Sequence, residues 1–315
     1  MYDKNDCMLL NRVLLLVLIC LLSLVVIFAG PSFLAAVTST KPLIAPTSGN
    51  NIGVNQWFPR NVLGLSLGAP NINAKSAFFV DTSSGQILFE KNSRQMLPIA
   101  SLTKIMTALI AIEHKSLDDK FIISQKAAQV EPDKMWLIAG ETLTLRELLY
   151  GIFLISANDA AEELAQDSVE SREEFIEMMN SKATQIGMKD SYFANPTGLD
   201  EDNNSSYSTA YDLALLSRYA IRHFPSLVDF SSTEHIILPV TDAHQDYDLY
   251  SGINLLTTYP GVVGFKTGYT PEAGLTLVTI ARKGNHEVLG VILGSQDRRD
   301  EARMLLDYSF KRLGV

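Results

Sequence analysis

Cysteine is almost absent from this chain, and its absence excludes several kinds of site. The 315 residues include two cysteines, Cys7 and Cys20, both near the N-terminus. The rest of the sequence therefore has no disulfide bond, no cysteine nucleophile and no thiolate ligand for a metal. Histidine is also scarce, and the five that occur show no H-E-x-x-H spacing, which disfavours a zinc-dependent peptidase. We predict no metal and no other cofactor.

The chain also lacks an excess of basic residues. Lysine and arginine total 26 against 35 aspartates and glutamates, which gives a net charge of −9. Such a chain offers no basic face for a polyanion, so we predict that nucleic acid is not a partner. Hydrophobic residues make up 47% of the chain, which is enough for one sizeable domain or two small ones.

One long apolar run stands near the N-terminus. Residues 13–30 read VLLLVLICLLSLVVIFAG without a charge, and PSFLAAV extends the run to Val37. A helix of ~20 apolar residues crosses a membrane, and Arg12 favours a cytoplasmic N-terminal end. We therefore predict that residues 1–37 are a membrane anchor or uncleaved signal, in preference to a cleaved signal peptide. The rest of the chain would then lie outside the cytoplasm, tethered by a single-pass anchor.

The sequence after this run divides into a linker and a folded domain. Residues 38–73 are rich in Thr, Ser, Pro, Gly and Asn, which is typical of a tether. We predict that residues 74–315 form one domain that begins with a hairpin near Ser76. Helical patterns follow from about residue 100 to about residue 222. Strand patterns return at HIILPV, LTLVTIAR and HEVLGVIL, and DEARMLLDYSFKRL predicts a terminal helix.

This order of elements predicts a mixed α+β fold. Strands, a long helical insert, further strands and a final helix favour an antiparallel sheet flanked by helices with an inserted all-α lobe. A cleft between sheet and lobe is a usual place for a site.

A lysine inside an apolar run is the first chemical signal. Ser101 and Lys104 stand in PIASLTKIMTALIA, where Ile105, Leu109 and Ile112 would form a buried stripe of a helix. Residues three apart on a helix are neighbours, so the amine can reach the hydroxyl. A free lysine has a pKa of ~10.4, and burial or a second cation lowers it until the neutral amine can accept the serine proton. The alternative is that Ser101 merely caps the helix.

Two further motifs follow in a fixed order. Ser156 and Asn158 form S-x-N between two helical patterns, and residues 266–268 read K-T-G before a strand pattern. The series S-x-x-K, S-x-N and K-T-G is the signature of penicillin-binding proteins and class A β-lactamases. Each motif alone could be a helix cap or a turn. Together they predict a serine nucleophile for acyl transfer.

The chain resembles the serine-type D-Ala-D-Ala carboxypeptidases, the low-molecular-weight penicillin-binding proteins, over residues 74–312. The resemblance implies a penicillin-binding-protein/β-lactamase-like fold. The sequence shows no β-rich C-terminal domain or amphipathic C-terminal anchor, so we expect the N-terminal run to provide the anchoring. Four stretches carry the resemblance: LPIASLTKIMTA, KMWLIAGETLTLRELLYGIFLISANDAA, FANPTGLDEDNNSSYSTAYDLALLSRYA and YPGVVGFKTGYTPEAGLTLV.

The resemblance also implies roles for matching positions. Ser101 would attack the carbonyl between two D-alanines with Lys104 as its base, while Ser156 would relay a proton to the leaving amine. The backbone N–H groups of Ser101 and Tyr269 would form the oxyanion hole. Asn158 would bind the peptide backbone, Lys266 would keep the local field positive, and Gly268 belongs to the same K-T-G motif. Thr267 would help to bind the terminal carboxylate together with an arginine, for which Arg298 is the candidate and Arg299 its competitor. The alternative for Arg298 is a surface salt bridge.

The resemblance implies the peptidoglycan pentapeptide as substrate and β-lactams as inhibitors that acylate Ser101. It also implies a catalytic domain outside the cytoplasm of a bacterial cell, with residues 13–37 contacting the cytoplasmic membrane.

Several alternative functions remain. A class A-like β-lactamase needs a deacylating glutamate, and no E-x-x-L-N-like segment lies between Asn158 and Lys266. A β-lactam sensor is disfavoured because residues 1–12 are too short for a cytoplasmic signalling domain. A transpeptidase or endopeptidase stays open, because its first half-reaction is the same.

Overall fold

The computed structural model describes residues 59, 61–62, 68–200 and 204–315. The predicted anchor, residues 1–37, and most of the predicted linker lie outside these residues. In the part of the chain that is described, no helix has the length and apolar character needed to cross a membrane.

The strands and helices follow one another in the predicted general order. The strands are β1 (Asn61–Val62), β2 (Ser76–Asp81), β3 (Gln86–Lys91), β4 (Leu97–Pro98), β5 (Lys120–Ile122), β6 (Thr142–Thr144), β7 (Tyr207–Ser208), β8 (His235–Leu238), β9 (Tyr247–Tyr250), β10 (Val262–Thr270), β11 (Gly274–Lys283) and β12 (His286–Ser295). The helices are a 3₁₀ turn (Ala100–Thr103), α1 (Lys104–His114), α2 (Gln125–Ala128), α3 (Leu145–Leu154), α4 (Asn158–Asp167), α5 (Arg172–Ile186), α6 (Ala210–His223), α7 (Ser226–Ser232), α8 (Leu255–Thr258) and α9 (Arg298–Leu313).

The main sheet combines strands from the first part of the domain with strands from its last part. Within the described residues it has six strands in the order β1-β3-β2-β12-β11-β10. The short strand β1 is parallel to β3, and every other neighbouring pair is antiparallel. The predicted hairpin is β2–β3, whose turn is fixed by the Asp81 carboxylate accepting hydrogen bonds from the backbone N–H groups of Ser83 and Ser84. The predicted α+β class with an antiparallel sheet is therefore confirmed.

Both faces of this sheet are covered, and strand β2 shows how. Phe78 and Val80 belong to a large core shared with the helical insert, whereas Ala77 and Phe79 belong to a second core shared with α9. Successive side chains of a strand point to opposite faces, so a continuous apolar run is what a sheet buried on both sides requires. The sheet therefore carries the helical lobe on one face and the terminal helix on the other.

The helices of the insert begin where polar side chains can cap them. Thr144 and Glu147 form a reciprocal capping box at the start of α3. Ser171 and Thr209 accept backbone N–H bonds at the starts of α5 and α6. Gly187 ends α5 in the left-handed region at φ 88°, a conformation that glycine adopts without strain.

Three elements differ from the sequence prediction. The K-T-G motif precedes the predicted LTLVTIAR strand, which is β11, but the motif itself lies in β10, a strand that the sequence did not predict because its glycines and lysine obscure the apolar alternation. The HIILPV run forms β8, which pairs with β9 in a separate two-stranded sheet. Asn61–Val62, in the predicted linker, adds a short strand to the sheet edge.

Candidate active site

Ser101 lies in the 3₁₀ turn that leads into α1. Lys104, the first residue of α1, has no solvent-exposed surface, and its Nζ lies 2.9 Å from Ser101 Oγ. The amine also donates to the carbonyl of Thr197 at 2.8 Å. The alternative role of Ser101 as a helix cap is wrong, because Thr103 is the N-cap residue of α1 and no side chain caps either the turn or the helix.

The Thr197 carbonyl is a contact of the Lys104 amine that sequence reasoning missed. The loop that carries it is fixed by Asn195, whose Oδ1 accepts hydrogen bonds from Thr197 N at 3.2 Å and Gly198 N at 2.7 Å. Gly198 has φ 80°, and a Cβ there would lie 2.0 Å from the carbonyl oxygen of Ala100. The N-P-T-G stretch signals a turn, but only the fold brings it to Lys104.

Ser156 and Lys266 form a second serine–lysine pair. Lys266 is 1% exposed, and its Nζ donates to Ser156 Oγ at 2.9 Å and to the Thr267 carbonyl at 2.8 Å. Ser156 joins α3 to α4 with φ 63°, which is unusual for a residue other than glycine. Strain of this kind often marks a functional position. Here it accompanies a hydroxyl held against a buried amine.

Asn158 begins α4 and is buried against a loop that sequence reasoning did not identify. Its Nδ2 donates to the carbonyl of Pro132 at 2.6 Å, while its Oδ1 has no hydrogen-bond partner among the described residues. The neighbouring Asp159 accepts from the backbone N–H groups of Met135 and Leu137 at 3.0 and 3.1 Å. Two consecutive residues thus hold residues 132–137 as one wall beside the S-x-N motif.

Strand β10 approaches the serine turn closely enough to require glycine. A Cβ at Gly268 would lie 2.6 Å from Thr276 Oγ1 and 2.9 Å from the backbone N of Ser101. Tyr269, the next residue, is 61% exposed, and Thr267 is half-buried. Within the described residues β10 pairs with β11 alone, so its other edge has backbone groups that an extended peptide could pair with.

Of the two candidate arginines, Arg298 reaches β10. Its Nη1 donates to the Gly268 carbonyl at 2.6 Å and to the Thr276 carbonyl at 3.3 Å. Arg299 is exposed and contacts Asp300 at 3.1 Å. The geometry therefore favours Arg298 over Arg299 as the cation beside the K-T-G motif.

Burial and mutual repulsion shift the lysines toward their neutral forms. Burial lowers the pKa of Lys104 well below its usual value, and the nearby charge of Lys266 lowers it further, against opposing effects of Asp133 and Asp159. Burial also lowers the pKa of Lys266 to about 7, with Arg298 adding to the effect. A neutral Lys104 amine in contact with the Ser101 hydroxyl can act as a general base.

Other chemistries find less support in the described residues. No group of three or more His, Cys, Asp or Glu side chains there is arranged to hold a metal ion. The buried glutamates of α4 are engaged elsewhere: Glu163 accepts from Ser124 N at 2.8 Å, and Glu162 pairs with Arg172 at 2.6 Å. Neither is available as the deacylating base that a class A-like β-lactamase needs.

Comparison with known proteins agrees with this geometry. Residues 65–297 match the family model described as D-alanyl-D-alanine carboxypeptidase. The chain is 37% identical over 248 residues to D-alanyl-D-alanine carboxypeptidase DacF of Bacillus subtilis, a match that covers 76% of this chain and 62% of DacF.

Two solved structures are also similar to this chain. A D-alanyl-D-alanine carboxypeptidase of Mycobacterium tuberculosis is 29% identical with a TM-score of 0.74, covering 80% of this chain and 96% of that one. An ampicillin-bound penicillin-binding protein of Listeria monocytogenes is 31% identical with a TM-score of 0.68, covering 76% of this chain and 100% of that one.

Proposed function

Because the chain belongs to the family of serine-type D-alanyl-D-alanine carboxypeptidases, we propose that it removes the terminal D-alanine from peptidoglycan stem peptides through an acyl-enzyme on Ser101. The observation that carries this proposal is the fully buried Lys104 amine 2.9 Å from the Ser101 hydroxyl. Lys104 is a titratable group in direct hydrogen-bond contact with Ser101 Oγ, and burial favours its neutral form.

Acylation begins with the neutral Lys104 amine. It takes the proton of Ser101 as Oγ attacks the carbonyl carbon between the two D-alanines, and a C–O bond forms. The backbone N–H groups of Ser101 and Tyr269 are proposed to stabilise the oxyanion, each worth ~3–4 kcal/mol in acyl transfer. The approach of Gly268 to the Ser101 backbone supports this placement.

The second serine–lysine pair serves the leaving group. The proton now on Lys104 passes by way of the Ser156 hydroxyl to the amide nitrogen, and the C–N bond breaks to release D-alanine. Protonated Lys266 keeps the field around Ser156 positive. Water then attacks the ester, the C–O bond to Ser101 breaks, and the hydroxyl recovers its proton.

Three groups would hold the substrate. The edge of β10 pairs with the extended peptide, and the Asn158 amide, whose Oδ1 has no partner among the described residues, bonds to its backbone. Thr267 and Arg298 bind the terminal carboxylate, with Arg298 held toward this edge by the Gly268 carbonyl.

β-Lactams would enter the same reaction as slow substrates. Acylation by the lactam ring uses the same nucleophile, base and oxyanion hole, and the ampicillin-bound relative supports this step. We also propose that the uncharged run at residues 13–37 holds the domain at the outer face of the cytoplasmic membrane, where peptidoglycan lies; its composition supports this assignment.

Release of D-alanine tests the proposal. The full chain in detergent is mixed with a peptide ending in Lys-D-Ala-D-Ala, beside the Ser101→Ala variant and a matched Ser181→Ala variant on the exposed face of α5. We expect release from wild type and Ser181→Ala and none from Ser101→Ala. Labelling by fluorescent penicillin without release would favour a transpeptidase or endopeptidase. The absence of both release and labelling would refute the proposal.

A further inference from the structure

The hairpin β8–β9 contacts the wall at residues 132–137. Its two strands are joined by residues 239–246, which we call the hairpin turn. The backbone N–H of Gln245 donates to Glu141 Oε1 at 2.8 Å, and the Gln245 side chain donates through Nε2 to the carbonyl of Trp136 at 3.0 Å. The hairpin turn is therefore bonded both to the helical lobe and to the wall.

The wall is a strained segment that borders a cavity. Trp136 has φ 64° and Asp133 has φ 49°, which residues other than glycine rarely adopt. A cavity of about 610 Å³ lies between the wall and β9, and Trp136 is 69% exposed. Strained backbone persists only where the surrounding contacts fix it. Asp159 provides such contacts from α4, and Gln245 provides one from the hairpin turn.

His244 fixes the hairpin turn through both nitrogens of its ring. The residue is buried, with Nδ1 2.6 Å from the Gln245 carbonyl and Nε2 3.4 Å from Glu147 Oε1 on α3. A carbonyl and a carboxylate accept hydrogen bonds and donate none, so each ring nitrogen faces an acceptor. Only the imidazolium form has a hydrogen on both nitrogens. The geometry therefore fits a cationic ring beside the Glu147 carboxylate.

Carboxylates dominate the surroundings of this ring. Oε2 of Glu147 accepts hydrogen bonds from the backbone N–H and the hydroxyl of Thr144, both at 2.7 Å, so Oε1 is left to face the ring. The other charged or titratable groups near the hairpin turn are Lys120, Glu141, Arg146, Asp242, Asp246 and Tyr247. Arg146 is paired with Asp118 at 3.2 Å, and Lys120 is exposed to solvent.

We propose that His244 is a positioning residue, whose cation holds the hairpin turn against α3 and, through Gln245, holds the wall that seats Asn158 for the substrate. This inference rests on the proposed function. The wall contacts Asn158 twice, because Asn158 Nδ2 donates to the Pro132 carbonyl at 2.6 Å and Asn158 N to the Asp133 carbonyl at 2.8 Å. A displacement of the wall therefore changes how the Asn158 amide meets the peptide.

Loss of the proton from His244 would release the hairpin turn. With Nδ1 donating to a carbonyl, a neutral ring presents the lone pair of Nε2 to the Glu147 carboxylate, and repulsion replaces attraction. Histidines change charge between about pH 5 and pH 8, so substrate binding should weaken as the pH rises through this range. The bond chemistry at Ser101 is unaltered, so the effect should appear in KM and not in kcat.

The separation of KM from kcat tests this role. His244→Phe keeps a planar ring without hydrogen-bonding nitrogens, and at about pH 6 it should raise KM for a peptide ending in Lys-D-Ala-D-Ala about five-fold or more, with kcat within about two-fold of wild type. The KM ratio of variant to wild type should shrink as the pH rises to about 9, and any effect of Lys266 cancels because both proteins share it. His223→Phe, at an exposed histidine of α6, is the matched control and should keep the wild-type KM. A smaller ratio at pH 6, or a ratio independent of pH, overturns the inference.

Gln245→Ala removes the link from the hairpin turn to the wall. It is the second variant if His244→Phe does not fold, as judged by fluorescent penicillin labelling, and should raise KM about three-fold or more. Gln185→Ala, at an exposed position of α5, is its matched control and should leave KM unchanged. Because both residues act along one series of contacts, the double variant should raise KM no more than the larger single change. A double effect equal to the product of the single effects overturns the series.

Trp136 allows the wall to be followed without any substrate. The sequence has two tryptophans, Trp57 and Trp136, so Trp57→Phe leaves Trp136 as the single source of tryptophan emission. In this background the emission should change between about pH 5 and pH 9, and the change should vanish when His244→Phe is added. A change that persists in the double variant, or no change in the background, overturns the link between His244 and the wall.

The outcomes separate the two proposals. If the wild-type protein releases no D-alanine and takes no penicillin label, the proposed function fails, while the emission of Trp136 still decides whether His244 holds the wall. If the wild-type protein releases D-alanine but His244→Phe and Gln245→Ala keep the wild-type KM, only the positioning role of His244 fails.

Discussion

The two serine–lysine pairs have the same contact distance but different origins. Ser101 and Lys104 are three residues apart and meet at 2.9 Å because one helical turn brings them together. Ser156 and Lys266 also meet at 2.9 Å, yet 110 residues separate them. The first pair is built by local geometry, whereas the second exists only when β10 packs against the helical lobe. Catalysis that uses both pairs therefore requires the folded domain, not a motif.

Their electrostatic settings differ as well. The charge of Arg298 helps to lower the pKa of Lys266, and the charge of Lys266 helps to lower the pKa of Lys104. Burial is the larger cause for both lysines. The arrangement favours the neutral form of the amine nearest the nucleophile, while the second amine can carry a proton below about pH 7. The comparison thus supports the proposal that the first pair contains the base and the second provides a positive field.

The largest effect should come from removing the base. Lys104→Arg retains a cation but cannot accept a proton, so we expect acylation by fluorescent penicillin to slow by about 10²–10⁴-fold. Lys182→Arg, at a lysine paired with Glu113 at 2.8 Å, is the matched control and should acylate normally. If Lys104→Arg acylates within ten-fold of wild type, Lys104 is not the base.

Loss of the relay hydroxyl should have a smaller effect. Ser156→Gly removes the hydroxyl at a backbone position with φ 63° that glycine tolerates, and we expect D-alanine release to fall by about 10–100-fold. Asn92→Gly makes the same kind of change at φ 46° on the surface and should leave release unchanged. Equal rates for Ser156→Gly and wild type would show that the second pair plays no part in proton transfer.

The pH dependence should report the charge on Lys266. With a pKa of about 7, Lys266 loses its proton as the pH rises, so kcat/KM for acylation should decline above about pH 7. Lys266→Arg should be slower near neutrality but should keep its rate to higher pH, because arginine stays charged. An alkaline limb at the same pH in both proteins would assign that limb to another group.

The smallest effect concerns stability. Between about pH 7 and the ordinary lysine pKa of ~10.4, the unfolded chain holds a proton at position 266 that the folded protein lacks. The unfolded state then binds more protons, so the stability of the folded wild type rises with pH over this window. Lys266→Met should gain at least about 1 kcal/mol over wild type at pH 6, and the gain should shrink toward pH 10. Urea unfolding measures the gain in free energy of unfolding, and the effect of the exposed-site control Lys120→Met is subtracted from it. A gain that stays constant or grows toward pH 10 would contradict a lowered pKa of the buried Lys266 amine.

The difference between the pairs also explains what could be predicted from the sequence. The S-x-x-K spacing predicts its own contact, and the order of strand and helix patterns along the chain predicts the α+β class. The strand β10 was missed because glycine, lysine and threonine obscure its alternation. The wall at residues 132–137, held by Asn158 and Asp159, and the Thr197 carbonyl are long-range backbone contacts that no local pattern encodes.

The family match confirms the predicted resemblance, while the individual roles of the site residues stay predictions. Arg298 and Arg299 are adjacent and chemically alike, so the sequence could not rank them decisively. Their different directions follow from the start of α9, where Arg298 turns toward the carbonyls of β10 and Arg299 faces solvent.

Mapping the acylated serine tests the central claim most directly. Ser101 and Ser156 each contact a buried lysine, so either could in principle carry the acyl group. The full chain is treated with penicillin, digested, and its peptides are analysed by mass spectrometry. The account predicts one adduct, on the peptide that contains Ser101, and none when Lys104→Arg is treated for the same time. An adduct on the Ser156 peptide, or none on either, would contradict it.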